Sequence, residues 1–159
     1  MSESQPPRPS VRPAVALAFC LVGYVALVIA GLGLASLATD SDVISAPGIG
    51  QSPGAVGMLA AAAAFAGVLW WVIRLRHPAF GSVVFVIAAT YVAYVIVTGL
   101  AVTIEAADIA AGLAVAGRLA IGWPGAVVAA AALVAGWAGI ALVRTRAGRP
   151  RWPWERRGD

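Results

Sequence analysis

The 159-residue chain contains no lysine, a single cysteine and a single histidine, and only 11% of its residues are charged. Cys20 stands alone among Ala18, Phe19, Leu21 and Val22. No intramolecular disulfide, thiol relay or cysteine zinc site can be built from it. A lipid-modified cysteine is excluded too, because Phe19 occupies a position that wants a small residue and the apolar run continues past it. Cys20 reads as a small buried hydrophobe. An intramembrane serine protease needs a base near its nucleophile, and the lone His77 lies in a short basic cytoplasmic turn, where it is expected to contact solvent or headgroups.

What the chain has in abundance is apolar side chain. At 61% hydrophobic residues and a mean hydropathy of +0.89, a soluble domain of this length could not bury it all, and the bilayer has to be the solvent. The fold class expected is all-α integral membrane, a four-transmembrane-helix bundle over residues 14–143. Its spans are 14–38, 55–73, 79–104 and 126–143, joined by outer loops 39–54 and 105–125 and an inner turn 74–78. The first run, 25 apolar residues, is too long for a signal-peptide core, although Ser36-Leu37-Ala38 has the look of a cleavage site. Residues 1–13, with four prolines, three serines and two arginines, read as a disordered cytoplasmic arm, and residues 144–159 as a basic cytoplasmic tail. In 105–125, Ile109, Leu113, Ala116 and Ala120 recur at helical spacing, which predicts a short helix lying at the interface with Asp108 as its N-cap.

All 11 basic residues are arginine, and ten of them fall on the arm, the inner turn and the tail. Arg118 alone falls on the opposite side, which holds Asp40, Asp42, Glu105 and Asp108. Arginine near a span resists translocation, so the protein is expected in the plasma membrane, multi-pass, with both termini cytoplasmic. Trp70, Trp71 and Trp123 sit where aromatic belts form and read as depth anchors. The basic excess lies beside apolar spans, so the expected partners are the lipid bilayer and anionic headgroups at the cytoplasmic face, together with a second copy or another membrane protein; nucleic acid is not expected. Arg151, Trp152, Trp154 and Arg156 interleave with proline and are candidates for headgroup or partner contact. The Trp152-Pro153-Trp154-Glu155 ending and the alanine-rich, all-arginine composition resemble small uncharacterised membrane proteins of high-GC actinobacteria. That resemblance implies four spans and supplies no activity.

An internal duplication is also legible. Tyr24-Val25-Ala26-Leu27-Val28-Ile29 parallels Tyr91-Val92-Ala93-Tyr94-Val95-Ile96, and Pro53-Gly54-Ala55-Val56 parallels Pro124-Gly125-Ala126-Val127. The architecture it predicts is two tandem helical hairpins in parallel repeat. Small residues four apart, Gly31 with Ala35, Ala63 with Gly67, Ala132 with Gly136 and Ala135 with Gly139, should form the helix contacts of a left-handed bundle.

The spans hold no ionisable residue. Small multidrug antiporters are similar in length and span number but depend on a membrane glutamate, which this chain lacks. No catalytic, cofactor or metal site is expected. The outer acids Asp40, Asp42, Glu105 and Asp108 match no calcium or magnesium loop, and an outer-face metal-dependent enzyme requires at least three of them to converge. Tyr24, Tyr91, Tyr94 and Thr98 are the candidate ligand or partner face, with Thr90 and Thr103 as further hydrogen-bond donors. The function expected is a non-catalytic accessory or structural envelope component acting through helix contacts. The alternative is a small dimeric transporter or pore lined by Tyr91, Tyr94 and Thr98.

Overall fold

The computed structural model describes residues 12–40, 50–74 and 80–144. Within them the chain is all-α, with no strand: α1 (Pro13–Thr39), α2 (Ser52–Arg74), α3 (Val83–Ala106), α4 (Ile109–Ile121) and α5 (Trp123–Arg144), α3 being preceded by a single 3-10 turn at Phe80–Ser82. Helices α1, α2, α3 and α5 are long and apolar enough to cross a membrane, which makes this a multi-pass membrane protein. The arm, the tail with Arg151, Trp152, Trp154 and Arg156, the turn around His77, and Asp42 lie outside the described residues.

Prolines explain where the helices begin. Pro13, Pro53 and Pro124 each occupy a first turn, where the missing N–H costs nothing, so α2 and α5 each start three residues before the apolar runs at 55 and 126. Helix α1 closes on Asp40 in a left-handed conformation (φ 48°), its N–H donating to the Ser36 carbonyl. Helix α3 closes likewise on Ala107 (φ 52°), whose N–H donates to the Thr103 carbonyl, and Asp108 donates to the same oxygen at 3.2 Å. A left-handed alanine is strained by roughly 1–2 kcal/mol. The reversal that this strain permits takes only two residues.

The four long helices form a ring in the order α1, α2, α3, α5. On three of the four long helices the packed face repeats every four residues: Ala16, Cys20, Tyr24 and Val28 on α1; Pro53, Gly57, Ala61, Phe65 and Leu69 on α2; Val86, Thr90, Tyr94, Thr98 and Val102 on α3. That is the spacing of ridges formed by residues four apart, whereas on α5 the buried Gly125, Val128, Ala132, Ala135 and Gly139 alternate three and four apart, as in a heptad seam.

Small residues set the closest approaches, only partly where the sequence placed them. A Cβ on Gly31 would lie 2.7 Å from Val127, one on Gly136 would lie 3.1 Å from Val83, and one on Gly139 would meet Cys20 and Leu69. Gly67, in contrast, faces open space, and Ala63 is exposed, so the Ala63–Gly67 stripe is not a contact within this bundle. Its role is taken by Gly57 and Ala61, six residues nearer the start of α2, where Gly57 lies directly against Thr98.

Helix α4 is present as expected, with the Asp108 carboxylate accepting from the Ala110 N–H at 2.8 Å. It packs on α3 along its length and so is not a helix lying free on the interface. Gly112 abuts Thr103 and Gly99, Ala116 abuts Gly99, and the carbonyl of Ala120 accepts from Tyr91 Oη at 2.6 Å. The partners on α3 step backward as those on α4 step forward, the signature of an antiparallel pair that the two-residue turn imposes. Val115 and Leu119 are buried, while Ile109, Leu113 and Ile121 are exposed.

Candidate functional site

Three of the four candidate side chains meet inside the ring. Tyr24 from α1, Tyr94 and Thr98 from α3 are at most 1% exposed, and Thr90, one turn before Tyr94, is fully buried beside them on the same stripe. The Tyr24 ring lies nearly parallel to Phe65 of α2, with centroids 4.5 Å apart. Because α2 presents glycine at position 57, its backbone comes down onto Thr98.

Tyr91 is not part of this group. Although it occupies the position that the duplication equates with Tyr24, it points toward the junction of α4 and α5, its ring close to Gly125 and its hydroxyl on Ala120. Tyr91 thus serves α4, while Tyr94 and Thr98 lie in the core. The reason is α4, the helix between the third and fourth spans, whose Ala120 carbonyl takes the Tyr91 hydroxyl.

The threonines expected to bond across helices mostly bond within them. Thr90 Oγ1 donates to the Val86 carbonyl at 2.7 Å and Thr103 Oγ1 to the Gly99 carbonyl at 3.0 Å, the back-bonding usual for threonine in an apolar helix. Two buried hydroxyls, Tyr24 Oη and Thr98 Oγ1, have no hydrogen-bond partner among the described residues. Buried polar groups are nearly always paired, so these two stand out chemically. Beside them the core holds the hydroxyls of Thr90 and Tyr94, and otherwise hydrocarbon, sulfur and aromatic rings.

The three outer acids among the described residues, Asp40, Glu105 and Asp108, do not converge. Glu105 accepts from the Gly50 N–H at 2.9 Å and from Ser52 Oγ at 2.7 Å, so its carboxylate caps the start of α2, where the helix dipole favours negative charge. Asp108 caps α4 and Asp40 ends α1. No group of three or more His, Cys, Asp or Glu among the described residues is placed to hold a metal ion. At the opposite end of the bundle the Arg74 guanidinium lies over the Trp70 ring, 4.5 Å from its centroid.

An all-α, four-span protein with an apolar interior thus defines the class. Residues 8–159 match a family described as a family of unknown function (DUF6121), and the chain belongs to it. No curated protein and no solved structure matches the chain.

Proposed function

We propose that this protein is a non-catalytic accessory or structural component of a bacterial plasma membrane, with both termini cytoplasmic, and that it acts by presenting helix surfaces to other membrane proteins or to a second copy. The observation that carries this reading is the burial of Tyr24, Tyr94 and Thr98. The residues best suited to handle a solute are packed between helices, while large apolar side chains such as Phe19, Leu59 and Ile104 cover the outside. Membrane helices associate through such surfaces by close packing. The test is photocrosslinking in intact cells from positions 19, 59 and 104, followed by identification of the products. One recurrent membrane-protein product, or a homodimer, supports the reading. Crosslinks to lipid alone, combined with solute flux in reconstituted vesicles, refute it.

The unpartnered hydroxyls of Tyr24 and Thr98 favour a second reading, a small dimeric transporter whose polar groups are satisfied by solute or water in another conformation. Vesicle flux that Tyr24→Phe abolishes without loss of folded protein distinguishes this reading from the first.

A further inference from the structure

The seam between α1 and α2 is the loosest in the ring, and it opens near the arginine-bearing end into a cleft of about 390 Å³ lined by Ala14, Leu17, Ala66, Gly67 and Trp70. Every lining residue is apolar, and a side chain at Gly67 would meet no atom within 4 Å. One helical turn beyond Trp70, about 5.4 Å along the axis, Arg74 is exposed and braced over the indole ring. Arg12 stands just before Ala14 on the facing helix, also exposed. An apolar slot thus runs into the membrane from a mouth that carries two permanent positive charges.

We propose that this cleft is a binding site for one anionic phospholipid, with an acyl chain lying over Gly67 between Leu17 and Trp70 and the headgroup phosphate held by Arg74. Guanidinium matches phosphate as a two-pronged donor, and stacking on Trp70 holds it in place, so less side-chain freedom is lost on binding. A zwitterionic lipid brings its own cation to the same mouth and gains less from the two arginines. The slot extends about one turn along each helix, from Ala14 to Leu17 and from Ala66 to Trp70, which is too short to seat the face of a helix from a second copy.

The full chain, purified in mild detergent, is titrated with dioleoylphosphatidylglycerol or dioleoylphosphatidylcholine and read by native mass spectrometry and by its thermal unfolding midpoint. One retained phosphatidylglycerol per chain, bound about tenfold tighter than phosphatidylcholine, with a raised midpoint, is the expected result. Gly67→Leu fills the slot and should remove retention of both lipids; Arg74→Gln should remove only the preference for phosphatidylglycerol. The unchanged midpoint of lipid-free Gly67→Leu serves as the folding control, with Ala66→Leu as a second slot-filling variant. Equal retention of the two lipids by the wild type, undiminished phosphatidylglycerol binding in both slot variants, or a change in oligomeric mass in place of lipid retention overturns the proposal.

Discussion

The ring of Tyr24 rests on that of Phe65 with their planes 8° apart, and the hydroxyl at the end of that stacked tyrosine has no hydrogen-bond partner among the described residues. The aromatic part of Tyr24 therefore ties α1 to α2, while its oxygen only adds the cost of burying a polar group. Tyr24→Phe keeps the stack and removes the oxygen. It is expected to stabilise the protein by about 1 kcal/mol, seen as a higher unfolding midpoint in mixed micelles. Tyr24→Ala, which removes the ring as well, should cost about 3–5 kcal/mol. A destabilised Phe variant would show that the hydroxyl has a partner in the membrane.

Gly57 and Thr98 form the tightest point between α2 and α3. A methyl group at position 57 would run into Thr98 Oγ1 and come within 3.4 Å of the Thr98 Cα, so the helices would have to separate. Gly57→Ala is expected to cost about 1–3 kcal/mol. Thr98→Ala removes the first obstacle but not the backbone, so the double variant should recover part of the loss. Additive effects in a double-mutant cycle would mean that the two residues are not in contact.

Nearer the tip of the same helix pair, Glu105 links the end of α3 to the start of α2 through Ser52 and Gly50. Removing either side of the Ser52 bond leaves the same gap. Glu105→Ala and Ser52→Ala should each lower the unfolding midpoint, and the double variant should be little worse than Glu105→Ala alone. Hydrogen exchange at the Gly50 amide should quicken in Glu105→Ala and stay slow in Ser52→Ala, which retains the carboxylate.

Where sequence reasoning succeeded, the signal was a long run or a local pattern. Four spans follow from hydropathy alone, and the Asp108 cap follows from its place before a helical repeat. It failed where the answer depends on which face of a helix meets which neighbour. Ala63–Gly67 and Gly57–Ala61 are equally good small pairs four apart, and only the assembled ring decides that the second is buried and the first turned outward. The same holds for the two tyrosine hexapeptides. Nearly identical local sequence leaves Tyr24 in the core and sends Tyr91 to Ala120, because α4 packs on α3 beside Tyr91. Apolar alanine and valine on every face carry no record of which face is covered.

The path of α4 gives the most direct test of the fold. A helix lying flat on the membrane surface would expose one face to water along its whole length. A helix running back beside α3 should lose water access from its start at Ile109 toward its end at Ile121, even though Ile121 is 92% exposed from the protein. With Cys20→Ala as background, single cysteines at Ala110, Ala114, Gly117 and Ile121 are treated with a membrane-impermeant maleimide in membrane fragments open on both faces. Reaction requires the thiolate, which apolar surroundings suppress about tenfold for each unit by which they raise the thiol pKa. Labelling should be fast at 110, intermediate at 114 and 117, and slow at 121, and detergent should restore it at 121. Tyr91→Phe, which frees the Ala120 carbonyl, should raise labelling at 121 without altering it at 110. Uniform labelling along the helix would place α4 on the surface and detach it from α3.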